Sequence, residues 1–227
     1  MSESADSMTD SGSPVTGSTG PIPESADSTT ESAASTTESA SSTSEIAGST
    51  NESAPLRVLH IAADEETPGE ADQVLALMEG LAALGHAQSL MTAAGSALEV
   101  EARLRGLEVA PLGLPSIAQL SRGFDLVHAH DSRAHSMAAA TARAPVVVSR
   151  RLAKAVLRSP AARWKYRRTA HFIAASHDIE RVLLNAGIAP ERVSLLCDDV
   201  DAPGIVEGTL GIYRKVLAPP QPESSSS

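Results

Sequence analysis

Leu56-Arg57-Val58-Leu59-His60-Ile61-Ala62 is a short apolar run, and after it Ala71, Val74, Leu75, Leu77, Met78, Leu81, Ala82 and Leu84 recur every three to four residues. The first stretch has the length and burial of a strand, and the second has the period of a helix over 69–84. Gly85 stands where a left-handed residue ends a helix. The same alternation repeats down the chain. Strands are expected at 88–92, 107–112, 124–129, 145–149, 171–175 and 193–196, and helices at 96–105, 115–120, 132–143, 160–169 and 176–186. Gly106 and Gly187 act as stops, and Ser176 as an N-terminal cap. Val146-Val147-Val148 is apolar without interruption, which fits a strand covered on both faces. Strands alternating with helices predict an α/β fold, a Rossmann-like, doubly wound parallel sheet. Ligands of such sheets bind beyond the carboxyl ends of the strands. The loops after strands one, four, five and six are therefore where function is expected.

Outside this pattern the composition changes. Residues 1–54 contain no Lys, Arg, His or aromatic residue, and ESADSTT, ESAASTT and ESASSTS repeat from Glu24, Glu31 and Glu38. Such a segment buries too little apolar surface to offset chain entropy, so a disordered tail is expected over 1–54. Its seven-residue period offers only alanine as an apolar residue, which makes it low complexity and not a coiled-coil seam. The tail holds nine acidic residues of a chain whose net charge is −10, leaving about −1 for the rest. A near-neutral domain behind an acidic tail does not read as a nucleic-acid binder. Cys197 is the single cysteine, so no internal disulfide is expected, in keeping with a reducing compartment. No apolar run has the length of a membrane span, and the start lacks the pattern of a signal peptide; a cytoplasmic location is expected.

Three features could carry chemistry. The loop Ala63-Asp64-Glu65-Glu66-Thr67-Pro68-Gly69-Glu70 precedes a helix N-terminus, a natural anion site. Its carboxylates instead suit an acidic helix start that complements the dipole. In His128-Ala129-His130-Asp131, strand alternation puts both histidines on one face, and His135 follows one turn later. Two histidines and a carboxylate fit a general-base pair or a metal site, so a metal-dependent hydrolase on His128, His130, Asp131 and His135 is one reading. Against it, one histidine packed in the sheet and one bonding a loop is the plainer account, and no metal is expected. The third feature is a basic run, Arg150, Arg151, Lys154, Arg158, Arg163, Lys165, Arg167 and Arg168, interleaved with Trp164 and Tyr166. It reads as a solvated face, or as a positive surface for phosphate or an anionic membrane.

The order of these motifs resembles the N-terminal domain of family 4 glycosyltransferases of the GT-B type. Gly69-Glu70-Ala71-Asp72-Gln73-Val74-Leu75 stands where that family has a Gly-Gly-x-Glu helix start. Gly80-Leu81-Ala82-Ala83-Leu84-Gly85-His86 is similar to its helix end, and Asp125-Leu126-Val127-His128-Ala129-His130 to its "DvvHaH" strand. Val147-Val148-Ser149-Arg150-Arg151, Ile173-Ala174-Ala175-Ser176 and Pro190-Glu191-Arg192-Val193 follow in register. The resemblance implies a single GT-B lobe at 55–202 that binds a sugar acceptor. It also implies transfer of a sugar from a nucleotide-sugar co-substrate with retention, and no cofactor. It places His130 near the acceptor and the reacting sugar. Gly69, Glu70, His128, Asp131, Arg150 and Arg151 fall at acceptor or phosphate contacts.

Gly208-Thr209-Leu210-Gly211-Ile212-Tyr213-Arg214-Lys215-Val216-Leu217 resembles the family's final helix, which crosses back onto this lobe. A C-terminal helix packing back is therefore expected within 203–218, with a disordered end at 219–227. The donor-binding half, with its Glu-x7-Glu signature, has no counterpart between Asp201 and Gly208. A sugar or lipid-linked acceptor, a separate donor-domain chain and an anionic membrane touched through Arg150–Arg168 are the partners expected. The alternative to a sugar transferase is a noncatalytic binding or regulatory module.

Overall fold

Seven strands form one sheet: β1 (Arg57–Ile61), β2 (Ala87–Thr92), β3 (Val109–Pro111), β4 (Leu126–Ala129), β5 (Val146–Arg150), β6 (His171–Ala174) and β7 (Val193–Leu195). Their order is β3-β2-β1-β4-β5-β6-β7, and every pairing is parallel. The chain winds outward from β1 to β3, then returns to the other side of β1 with β4. The order thus reverses between β1 and β4, which opens a crevice at their carboxyl ends. The computed structural model describes residues 54–64, 68–153, 159–197 and 201–219. The acidic tail to residue 53, Glu65, Glu66 and Thr67 of the first loop, Lys154 and Arg158 of the basic run, and the chain end from residue 220 lie outside the described residues.

Strand alternation sorts the apolar side chains onto two faces. Leu59, Ile61, Val127, Ala129, Val146, Val148 and Phe172 point to one side. There they meet Ile117 of α3 (Leu114–Leu120), Ala134 and Ala138 of α4 (Ser132–Thr141), and Ile179 and Leu183 of α6 (His177–Asn185). Val58, Leu126, Val147 and Ile173 point to the other side. They meet Leu77 and Leu81 of α1 (Pro68–Ala83) and Val206, Leu210 and Tyr213 of α7 (Ala202–Leu217). Leu98 and Ala102 of α2 (Ala97–Leu104) extend that second layer under α1. The triple valine is buried, as a strand covered on both sides requires.

Local signals set the boundaries. Gly85 and Gly187 both adopt a φ of 84°, which a side chain would strain. Ser176 Oγ accepts from the Ile179 amide and caps α6. The last helix, expected over 203–218, runs from Ala202 to Leu217. Asp201 caps it by accepting from the Gly204 amide, and Pro203 sits in its first turn, where the missing N–H costs nothing. Helix α7 lies against α1 closely enough that a Cβ on Gly80 would stand 2.4 Å from Val206 Cγ2. Gly208 has a similar approach, 2.8 Å, to Leu196 Cδ1. Tyr213, wholly buried, is among the largest side chains of this layer.

The basic run is divided. Helix α5 (Pro160–Arg168) has no buried residue. Yet Arg168 donates to the carbonyls of Ala139 and Ala142, and Lys165 to Ser136 Oγ. These cations hold α5 against α4. Arg163, Trp164 and Arg167 are exposed, as is Arg168 alongside these bonds. Among the described residues no helix is long and apolar enough to cross a membrane.

Candidate functional site

His60 on β1 and His128 on β4 are direct register partners, and His130 follows two residues later on the same side. The three rings meet at the crevice: His128 and His130 have centroids 4.1 Å apart, and His60 and His130 lie 5.2 Å apart, nearly parallel. All three are buried. Hydrogen bonds join them to the surrounding elements. His128 Nδ1 lies 2.7 Å from Tyr213 Oη on α7, and its Nε2 lies 2.8 Å from Ser149 Oγ on β5. His60 Nε2 lies 2.6 Å from Gln88 Oε1 on β2, and its Nδ1 lies 2.9 Å from His130 Nε2. His130 Nδ1 has no hydrogen-bond partner among the described residues.

Burial keeps these imidazoles neutral. It lowers the pKa of His60 to about 4 and holds those of His128 and His130 well below the ordinary value. Neighbouring histidines and the Arg151 charge push His128 and His130 the same way. The ring nitrogens of His60, His128 and His130 include one from each within 4.8 Å of the others, a set that geometry allows to ligate a metal. A metal would compete with the hydrogen bonds already made by both nitrogens of His60 and both of His128.

The set expected for a metal hydrolase is not assembled. His135 lies across the sheet on the α4 side, against Tyr166 and Phe172, with Nε2 2.7 Å from Thr169 Oγ1. A helical residue four beyond the cap is carried back over the sheet, away from the crevice. Asp131 is the cap of α4. Its Oδ1 accepts from the Arg133 and Ala134 amides at 2.8 and 2.7 Å, and its Oδ2 accepts from Ala63 N at 2.6 Å. That last bond ties the end of β4 to the end of β1. Desolvation raises the pKa of Asp131, against the lowering effect of these amides.

A cavity of about 470 Å³ opens beside the histidines, between the strand ends, α1 and α2. His130, Asp131, Glu70 and Arg151 line it, with Asp64, Asp72 and Glu101 adding carboxylates. A second cavity of about 200 Å³, toward α7, has Ser149, Arg150 and Arg151 on its wall. Arg151 thus borders both. Arg150 Nη1 donates to Tyr166 Oη at 2.9 Å, toward α5. Gly69 is exposed at the start of α1, and neither it nor His128 lines either cavity. The large cavity therefore carries five carboxylates and one guanidinium. Asp72 and Glu101 pair with Arg105, and Asp64 with Arg133, so the wall is polar and rich in acceptors for hydroxyl groups.

Sequence reasoning missed His60, Gln88, Ser149 and Tyr213. The strand pattern faces His60 inward with Val58, but only the strand order reveals that β1 neighbours β4.

The model of Glycosyltransferase Family 4 matches residues 69–201. A search of curated proteins finds no match. Among solved structures, Alr3699/HepE of Anabaena, crystallised with UDP and glucose, is 15% identical with a TM-score of 0.53; the match covers 64% of this chain and 45% of that one. A glycosyltransferase of Rickettsia africae is 13% identical with a TM-score of 0.53, covering 65% of this chain and 44% of that one. The lipopolysaccharide outer core galactosyltransferase WaaB is 11% identical with a TM-score of 0.51, covering 64% and 46%. At these identities the likeness is one of fold, a Rossmann-like GT-B lobe. The matched region spans less than half the length of each neighbour.

Proposed function

The chain belongs to Glycosyltransferase Family 4, and on that premise we propose that it is an acceptor-binding lobe that works in sugar transfer with retention, the donor half being supplied by another chain. The observation that carries this reading is the carboxylate-lined cavity at the β1/β4 switch point, with the unpartnered Nδ1 of His130 beside it. A saccharide hydroxyl there would donate to His130, while Glu70 and Asp131 face the remaining hydroxyls. Arg151, on the edge of both cavities, is the residue suited to a phosphate of the nucleotide-sugar, with Arg150 at its side. Gly69 would contribute only through the start of α1, and His128 through its ring contact with His130. No cofactor or metal is required in this scheme. Transfer in a two-lobed enzyme occurs between the lobes, so one lobe lacks most transition-state contacts.

The acceptor is a saccharide, free or lipid-linked. A lipid-linked one fits the exposed Trp164, 48% accessible, between Arg163 and Arg167, which would rest on an anionic membrane from the cytoplasmic side. Nucleic acid has no place in this reading. A noncatalytic saccharide-binding module is the second reading, favoured by the same cavity and separated from the first by turnover with a donor chain.

Binding is tested by titrating the ¹⁵N-labelled chain with a panel of mono- and disaccharides. Saturable shifts are expected at Ala62, Glu70, His130 and Arg151, weakened about tenfold in His130→Ala, the effect of one lost hydrogen bond. Absence of saturable shifts across the panel, or shifts indifferent to His130→Ala, would refute the assignment.

A further inference from the structure

We propose that Gln88 and His60 are positioning residues that fix the tautomer of His130, so that its Nδ1 is offered as a bare lone pair and the site takes a hydroxyl donor, not an anion. This deepens the acceptor reading above and rests on it only for the identity of the ligand.

The protons can be placed along three side chains in turn. Gln88 Oε1 has lone pairs and no hydrogen, so at 2.6 Å from His60 Nε2 it accepts, and His60 carries its proton on Nε2. A neutral imidazole has one N–H, so His60 Nδ1 is bare. At 2.9 Å from His130 Nε2 it accepts in turn, and His130 carries its proton on Nε2. His130 Nδ1 is then the bare nitrogen at the end of the chain of bonds, and it has no hydrogen-bond partner among the described residues; Gln88 Nε2, at the other end, has none either. The two rings are within 14° of parallel, which keeps both in line for this bond.

One further fact keeps the relay neutral, and another favours this direction. Burial holds His60 neutral, so the chain does not collapse into an imidazolium that donates at both ends. The Arg151 charge acts on His130, and a lone pair beside a guanidinium is favoured over an N–H. Turning the Gln88 amide over would reverse every donor and present an Nδ1–H. The two directions differ in what they exclude: a bare Nδ1 accepts a hydroxyl proton and rejects a carboxylate or phosphate oxygen, whereas an Nδ1–H binds an anion as well as a hydroxyl oxygen.

The test is nitrogen-detected NMR of the full chain labelled with ¹⁵N-histidine at neutral pH, with metal content measured on the same sample. Wild type is expected to show His130 protonated on Nε2 and bare on Nδ1. Gln88→Leu, which removes the acceptor, is expected to shift His130 toward the other tautomer and to weaken saccharide binding about tenfold. Gln88→Glu keeps an acceptor and removes the donor that a reversed amide would supply, so the wild-type tautomer and binding are expected wherever the His60 signal is that of a neutral ring. A merely structural Gln88 would move the melting temperature in both variants and the tautomer in neither. His130 protonated on Nδ1 in wild type, an unchanged tautomer in Gln88→Leu, or a stoichiometric metal bound to His60 and His130 would overturn the proposal. Should Gln88→Leu fail to fold, the wild-type spectrum still decides the direction. The spectrum needs no sugar, so a correct tautomer without saccharide binding would sink the acceptor reading alone.

Discussion

Between about pH 7 and pH 5 the domain is expected to lose most of its stability. Six histidines are buried, and five of them, His60, His128, His130, His135 and His171, carry the main effect. Burial is the first cause of depression in each. It lowers His60 and His171 to about 4 and His135 to about 3, and holds His128 and His130 well below the ordinary value. In the unfolded chain each titrates near 6.5. Below that value the unfolded state binds protons that the folded state refuses, so stability falls as pH falls. The contribution is fully present above the unfolded pKa and is lost progressively toward pH 4. At pH 5 each fully neutral histidine costs roughly 2 kcal/mol. Five together rival the whole stability of a domain, about 5–15 kcal/mol. Asp131, with its raised pKa, acts in the opposite sense, but a single carboxylate is outweighed. Thermal unfolding followed by circular dichroism from pH 8 to pH 5 checks this. A melting temperature that stays level over the range would show that the histidines are not held neutral.

Removing Tyr213 is expected to give the largest effect of any single side chain of the α7 layer. The residue is wholly buried, its ring meets His128 edge-on, and its hydroxyl lies 2.7 Å from His128 Nδ1. Truncation to alanine leaves a cavity under α7, at about 3–5 kcal/mol for a large aromatic. It also leaves His128 Nδ1 buried without a partner, a further cost of about 1–3 kcal/mol. For a domain of this size each kcal/mol is about 2–4 °C, so Tyr213→Ala should lower the melting temperature by about 10 °C or more. Tyr213→Phe keeps the ring and loses only the hydroxyl, and a few degrees are expected. Equal, small losses for both would mean that α7 is not part of the folded core.

Much of this architecture is legible in the residues. The strands are short apolar runs, the helices have a clear period, and glycines and a capping serine mark several ends. These are local signals and survive without tertiary context. The pair His128 and His130 is also local, because alternation alone puts both on one face. The rest is not local. His60 joins the cluster through the β1/β4 pairing, 70 residues away in sequence. Gln88 and Ser149 reach it from two more strands, and Tyr213 from the last helix. Strand order determines these meetings, and hydrophobic period does not reveal it. His135 shows the converse: near in sequence, it is carried to the opposite face by its helix. The start of α7 is marked in Asp201-Ala202-Pro203, a cap followed by a first-turn proline. The basic run needed the structure as well, since Arg168 and Lys165 serve the α4–α5 contact.

The central claim is that this chain supplies the acceptor side of sugar transfer and takes the donor side from another chain. Nucleoside-diphosphate release from UDP-, GDP- and ADP-sugars, measured with the purified chain and again with host extract, tests it most directly. No release by the chain alone is expected, with release in extract that rises with added chain and is lost with His130→Ala. Release by the purified chain alone would contradict the claim, and silence in both settings would leave the noncatalytic binding module in its place.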